Sequence, residues 1–361
     1  MKNKISQKQL VYNLSVYSLA HAAVDFVCAV VVFSVFKYQL TSWENFVTLV
    51  VLYNVCAFGL QFVVGLVADR IRNPRLVALI GCLMVGVGSV ALLWSPVLAI
   101  LLVGLGNALF HVGGGVISFS LTPNQATAPG IYVAPGAIGL LGGSLLGKSG
   151  QITPWLPAVM MTVCALMIWW LESPRLSYKE ATFKPRTKFT NLIIALLLVL
   201  LSVAIRSFIG MAMAFPWKTN LDLLLILTAS IVLGKSYGGI IADRVGWTRT
   251  AVVSLVTSIP CLILGWSSPV LAIIGMFLFN ITMPITMALL ANLLPNRLGL
   301  AFGLSCLALL IGGLPSLTGA SFVLSGALEI TAIVAISALS LYFGLKLSTR
   351  LYRQKTDSNL K

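Results

Sequence analysis

Twelve apolar runs, each long enough to cross a bilayer core, follow one another along this chain with short polar breaks between them. A helix needs about 20 apolar residues to cross hydrocarbon, where only its own backbone can satisfy its hydrogen bonds. The predicted spans are Leu10–Phe36, Phe46–Ala68, Leu76–Trp94, Val97–Ser120, Ile131–Gly147 and Trp155–Leu171. The second set is Asn191–Phe215, Leu221–Ala242, Thr250–Trp266, Val270–Leu293, Leu300–Phe322 and Ala327–Leu347. The runs are continuous rather than alternating with period two, which excludes an outer-membrane barrel. Charged residues make up 9% of the chain and mean hydropathy is +0.99, against roughly 25% charged in a soluble domain. A soluble enzyme, a disordered tail and a disulfide scaffold are excluded. The six cysteines all lie inside apolar runs at no ligand-like spacing, so they are expected to pack between helices and no metal site is expected.

A formal charge of +15 invites a nucleic-acid partner until its distribution is followed. With the N-terminus placed in the cytoplasm, nineteen of the 24 Lys and Arg fall in inside segments and three outside, with Arg206 and Lys235 left within spans. Such asymmetry is the positive-inside pattern, so topology accounts for the charge and no nucleic acid is expected. Both termini are predicted to be cytoplasmic, in an inner or plasma membrane. The first span resembles a signal peptide, but Asn13 interrupts it and the apolar run continues far beyond Ala20-His21-Ala22. It is read as a retained span.

The longest polar interruption, Glu172 to Thr190, divides the chain into an N-terminal six-helix bundle (1–172), a cytoplasmic linker (173–190) and a C-terminal six-helix bundle (191–361). A repeat supports the division. Gly65-Leu-Val-Ala-Asp69-Arg70 follows span 2 and Gly239-Ile-Ile-Ala-Asp243-Arg244 follows span 8, with the aspartates 174 positions apart. Pro123-Asn124-Gln125 and Pro295-Asn296-Arg297 recur 172 positions apart. Repeated halves of this kind are typical of secondary transporters.

At these residues the sequence resembles the major facilitator superfamily, whose signature after spans 2 and 8 is approximately G-x-L-A-D-R-x-G-R-K. The second copy keeps Gly239, Ala242, Asp243, Arg244 and Gly246, whereas Arg72 stands where the first copy would have its second glycine. His21-x-x-x-Asp25 and Gly106-Asn107-Ala108-Leu109-Phe110-His111 are similar to the fosmidomycin-resistance branch, but Val112-Gly113-Gly114-Gly115 departs from its pattern. The resemblance implies an all-α membrane protein of twelve transmembrane helices in two pseudo-symmetric bundles. It also implies a substrate cavity lined by spans 1, 4, 7 and 10, and alternating access by rocking. It implies that Asp69 caps the facing helix of span 11.

A charge at the centre of a span costs at least about 2.5–3.5 kcal/mol, so those retained there are functional candidates. His21 and Asp25 lie one turn apart on one face of span 1, a pair suited to substrate binding and proton coupling. Asn107 and His111 share a face of span 4, as cavity groups or as hydrogen-bonded packing. Arg206 in span 7, with Ser202 one turn earlier, is the candidate for an anionic substrate group; the alternative is an ion pair with Asp25. Asn280, with Pro284, places a polar group and a bend in span 10. Lys235 either faces the cavity or snorkels. Asp69, Arg70, Asp243 and Arg244 are expected to gate. Gly113 and Gly114 are expected to loosen the end of span 4 as a hinge, unless they serve packing. Asn54 and Gln61 are expected to hydrogen-bond between helices. Pro135, Gly139, Gly143 and Gly147 form a small-residue stripe in span 5 for close packing, and the stretch Gly130 to Gly143 faintly resembles the family's antiporter motif, without its glycine–proline order, which leans towards export.

The expectation is a secondary transporter moving a small organic solute, anionic or amphipathic, by proton-coupled export. The proton gradient is its driving force, no cofactor is needed, and the lipid bilayer and the solute are its partners. It is expected to act as a monomer. An uptake symporter for a small carboxylate uses the same cavity. An intramembrane enzyme built on His21, Asp25 and His111 lacks a nucleophile or metal-ligand motif, so no enzyme is expected. A transport-dead sensor would keep the same fold.

Overall fold

The computed structural model describes residues 6–38, 42–151, 153–172, 189–213, 215–317 and 323–358, and the described chain is helical without strands. Eleven helical stretches have the length and apolarity to cross a membrane: Gln7–Val35, Glu44–Ile71, Pro74–Ala91, Pro96–Leu121, Thr127–Ser149, Phe189–Ala212, Leu221–Val245, Trp247–Leu264, Pro269–Leu293, Leu298–Ser316 and Ala327–Leu351. The shorter apolar helix Trp155–Trp170 completes twelve. They are called spans 1 to 12 in chain order. Most of the stretch anticipated as the linker lies outside the described residues, but its last two residues, Phe189 and Thr190, already belong to span 7. Likewise, residues 318–322, anticipated as the end of span 11, lie outside them.

Local chemistry sets where the helices begin. Ser95 before Pro96 and Ser268 before Pro269 cap spans 4 and 10, each hydroxyl accepting from the backbone N–H three residues on. Proline fits a first turn because its missing N–H is an orphan there in any case. These two caps are 173 residues apart, close to the offset of the repeated aspartates. Three spans are interrupted. Span 2 contains a π-helical turn at Val55–Gly59, span 5 breaks between Thr127–Val133 and Gly136–Ser149 at Pro135, and span 10 breaks at Ile281. Breaks of this sort occur in membrane helices where protein, rather than lipid, surrounds the backbone.

Two buried apolar cores result. One is built mainly from spans 1 to 6 but also receives Met287, Ala291, Phe302 and Cys306 from spans 10 and 11. The other is built from spans 7 to 12. Leu328, Trp170, Trp94 and Trp155 point outward, an apolar exterior suited to acyl chains with indoles near helix ends. Within the first core the glycine stripe of span 5 works as expected. A Cβ on Gly139 or Gly143 would strike the carbonyl of Ala22 or Phe26, so glycine lets spans 1 and 5 meet backbone to backbone.

The repeated aspartates join the halves at one end. Asp69 of span 2 accepts the N–H groups of Gly299 and Leu300, at 2.8 and 3.0 Å, at the start of span 11. Asp243 of span 8 accepts the N–H groups of Ala126 and Thr127 and the Thr127 hydroxyl, at 2.9, 2.9 and 2.6 Å, at the start of span 5. Each carboxylate sits where a helix macrodipole is positive. Gly65 meets Gly299, and Gly239 meets Ala126, so close that neither position has room for a side chain. At this end the two halves are tied by two matching latches.

The residues three places after the aspartates both have positive φ, in different turns. Gly246 has φ 104° and ψ 134°, and Arg72, at the matching place, has φ 56° and ψ 22°. The departure from glycine at position 72 is therefore accommodated: the arginine takes the left-handed conformation, at a cost of about 1–2 kcal/mol.

Candidate functional site

Helical spacing and one helix crossing build the centre of the site. His21 and Asp25 share a face of span 1, with His21 Nε2 3.2 Å from Asp25 Oδ2. Span 4 brings His111 Nε2 to 3.3 Å from Asp25 Oδ1 and to 3.0 Å from His21 Nε2. Asn107, one turn before His111, donates to Asp25 Oδ1 at 3.4 Å. The imidazoles are buried and the Asp25 side chain retains 19% exposure. Gly136, just after the break in span 5, lies against His21 and Asp25, and any Cβ there would collide with them. Tyr132, just before the break, donates its hydroxyl to the His111 carbonyl, and its ring lies 4.8 Å from that of His21.

The hydrogen bonds fix one tautomer. His111 Nδ1 lies 2.9 Å from the backbone carbonyl of Asn107. A carbonyl only accepts, so Nδ1 carries the hydrogen, and neutral His111 presents the bare lone pair of Nε2 to the other two groups. A hydrogen on His21 Nε2 can bridge to Asp25 or to His111, but a carboxylate and a lone pair still face each other. The donor atoms of the three residues lie within 4.8 Å of one another and can surround one small cation. The arrangement has room for one more proton, carried on His111 Nε2, without displacing a heavy atom.

Across the interface, Arg206 of span 7 is buried at 7% exposure. Its Nη1 donates to Thr286 Oγ1 at 3.1 Å, while Nη2 is buried without a hydrogen-bond partner. The alternative of an Arg206–Asp25 ion pair is not what the structure shows. Among the described residues, the ion pairs of Asp25 are with the two histidines. Lys235 of span 8 is partly buried, and its backbone carbonyl lies against Gly130 of span 5, beside Pro284 of span 10. That packing sets it between the two halves, a place that suits an inward-facing cation better than a snorkelling one.

Other expected residues take different roles. Asn280 donates to the Met276 carbonyl of its own helix and does not join the cluster. Ser202 pairs with Ser337 and ties span 7 to span 12. Asn54 and Gln61 donate to Val50 and Ala57, four residues back, rather than between helices. Gln61 thereby serves a carbonyl of the π turn. The helix runs unbroken through Gly113, Gly114 and Gly115, which seat Ala78, Tyr132 and Phe302. In this state those glycines are packing positions and not a loosened end. Arg70 and Arg244 belong to the last turns of spans 2 and 8.

Thr286, Tyr132 and Gly136 were not singled out by the sequence. A threonine and a tyrosine in apolar spans carry no spacing signal, although a proline inside a span, as at Pro135, is where a helix can break.

With this geometry in view, the comparisons agree on the fold. The family model of the Major Facilitator Superfamily matches residues 14–317. The Escherichia coli fucose:proton symporter FucP superposes with a TM-score of 0.64 at 12% identity, covering 96% of this chain and 98% of that one. FucP in an outward conformation gives 0.60 at 13%, covering 93% and 99%. The human organic anion transporter MFSD10 gives 0.67 at 13%, covering 91% and 99%. A search of curated proteins finds no match. The match over most of its length, on twelve helices with repeated latches, makes this chain a member of the major facilitator superfamily.

Proposed function

We propose that this secondary transporter carries a small organic anion through the membrane by alternating access, coupled to a proton held by Asp25, His21 and His111. The observation that carries the reading is the division of charge inside the bundle. Among the described residues, spans 1 and 4 carry a mid-span carboxylate with two imidazoles, and span 7 carries a buried arginine with no acidic partner. Placing a proton on the histidine–aspartate cluster makes the interior more positive and so favours the anion at Arg206. Proton and anion then load together. A fucose:proton symporter and an organic anion transporter among the structural neighbours fit this reading.

The latches supply the switch. Asp69 and Asp243 hold one end shut, and the positive-inside count puts that end in the cytoplasm. On this topology the latched arrangement would serve as the outward state, and rocking to the inward state would require both carboxylates to leave their helix ends. The protein would sit in the inner or plasma membrane with both termini cytoplasmic.

Export by exchange is the second reading, favoured by the proline and glycines of span 5. Right-side-out and inverted vesicles separate the two. Uptake of labelled solute driven by inward proton flow supports symport, and proton-driven efflux supports export. Transport that ignores an imposed pH gradient in both orientations would refute the coupling.

A further inference from the structure

We infer that Lys235 and Arg206 together form a two-cation subsite, and that its ligand carries an acidic headgroup with two negative charges. The inference rests on the transport reading and sharpens its substrate class. It starts from where the carboxylates are. Asp69 and Asp243 are committed to helix N-termini. Glu44, Glu172, Asp222 and Glu329 lie at the ends of spans, near polar segments. Asp25 is engaged by two imidazoles and an amide. Neither interior cation is left with a carboxylate of its own among the described residues.

The two cations are also held in place. Lys235 stands between Gly234 and Gly238, which seat the span 10 backbone at Phe277 and Ile281, and its own carbonyl lies against Gly130 of span 5. Close packing on both sides sets Lys235 beside the break of span 10: the Pro284 ring lies against the same Gly130, and Thr286, two residues on, holds Arg206. The Arg206 guanidinium is anchored at one nitrogen by Thr286 and leaves Nη2 buried and unpartnered. A guanidinium edge and an ammonium at the same stretch of span 10 suit a headgroup with several oxygens, one taken by the fork and another by the point charge. Like charges repel strongly in an interior of low dielectric. Two fixed cations balanced by one carboxylate leave the interior with an excess of one, and of two once a proton is loaded. A dianion brings the loaded site to neutrality.

The test uses purified wild-type protein, Arg206→Gln, Lys235→Gln and Lys235→Arg, titrated by thermal shift at pH 7.5. The probes share one skeleton and carry two, one and no charges: malonate, malonamate and malonamide. The wild type is expected to bind malonate at least about tenfold more tightly than malonamate, and malonamide least. Lys235→Gln should shrink the malonate-to-malonamate ratio about tenfold, and Lys235→Arg should restore it. Arg206→Gln should weaken both anions. A ratio unchanged in Lys235→Gln, equal binding of all three probes, or no stabilisation of the wild type by malonate would overturn the inference. Counterflow of labelled malonate in proteoliposomes distinguishes the two readings. Binding in the expected charge order without flux refutes transport and leaves the subsite standing. Flux indifferent to probe charge refutes the subsite and leaves transport standing.

Discussion

Asp243 draws three donors from the opposite half, the N–H groups of Ala126 and Thr127 and the Thr127 hydroxyl, and a fourth from Trp247 beside it. Replacing it with asparagine keeps one acceptor oxygen but removes the charge and turns an amide N–H₂ towards donors. Bonds to a charged group are worth about 1.5–3 kcal/mol each and neutral ones about 1, without strict additivity. The expected loss for the set is about 2 kcal/mol, roughly a 30-fold shift towards the unlatched state. Asp69 accepts two backbone donors in the matching latch, so Asp69→Asn should shift the balance about tenfold. Hydrogen exchange read by mass spectrometry reports this directly, because the amides of residues 126, 127, 299 and 300 are the latched groups. If the halves rock as bodies, Asp243→Asn should raise exchange at 299 and 300 as well as at 126 and 127. Exchange unchanged at residues 126 and 127 would refute the latch. A rise confined to those two residues would show a local cap with no linked opening.

Three further outcomes follow from the same geometry. Gly246→Ala forces a Cβ into φ 104° and ψ 134°, and should cost about 1–3 kcal/mol, seen as a lower melting temperature in detergent; an unchanged melting temperature would contradict it. Gly139→Val should separate spans 1 and 5, because its Cβ meets the Ala22 carbonyl, costing about 1–3 kcal/mol or preventing folding; normal stability would show that the stripe tolerates bulk. Tyr132→Phe removes the hydroxyl donated to the His111 carbonyl. It should cost about 1 kcal/mol, and a melting temperature equal to wild type would show that this bond contributes nothing.

Hydropathy made the twelve spans legible because lipid accepts no unsatisfied backbone. The latches were legible because Asp69 and Asp243 recur in duplicated context. His21, Asp25, His111 and Arg206 stood out as polar groups in an apolar medium, and the pairing of His21 with Asp25 followed from one helical turn. The approach of His111 did not, since it depends on how spans 1 and 4 cross. Thr286 as the partner of Arg206 was hidden for the same reason. Lys235 was ambiguous because its place near a span end suits snorkelling equally well. Only the seating of its neighbours Gly234 and Gly238 on span 10 turns it inward. Gln61 gave a misleading signal: its polarity suggested a bond to another helix, whereas a π turn in its own helix supplied the acceptor.

The central claim, that Asp25 and its two histidines hold the coupled proton, is tested most directly by gradient-driven accumulation in proteoliposomes. Wild type and Asp25→Asn are compared with a solute identified by thermal-shift screening. For the wild type, an imposed pH gradient should concentrate the solute several-fold over its level without a gradient. For Asp25→Asn that ratio should fall to unity, whatever the absolute rate. A correctly inserted Asp25→Asn protein that still concentrates solute in response to the gradient would contradict the account.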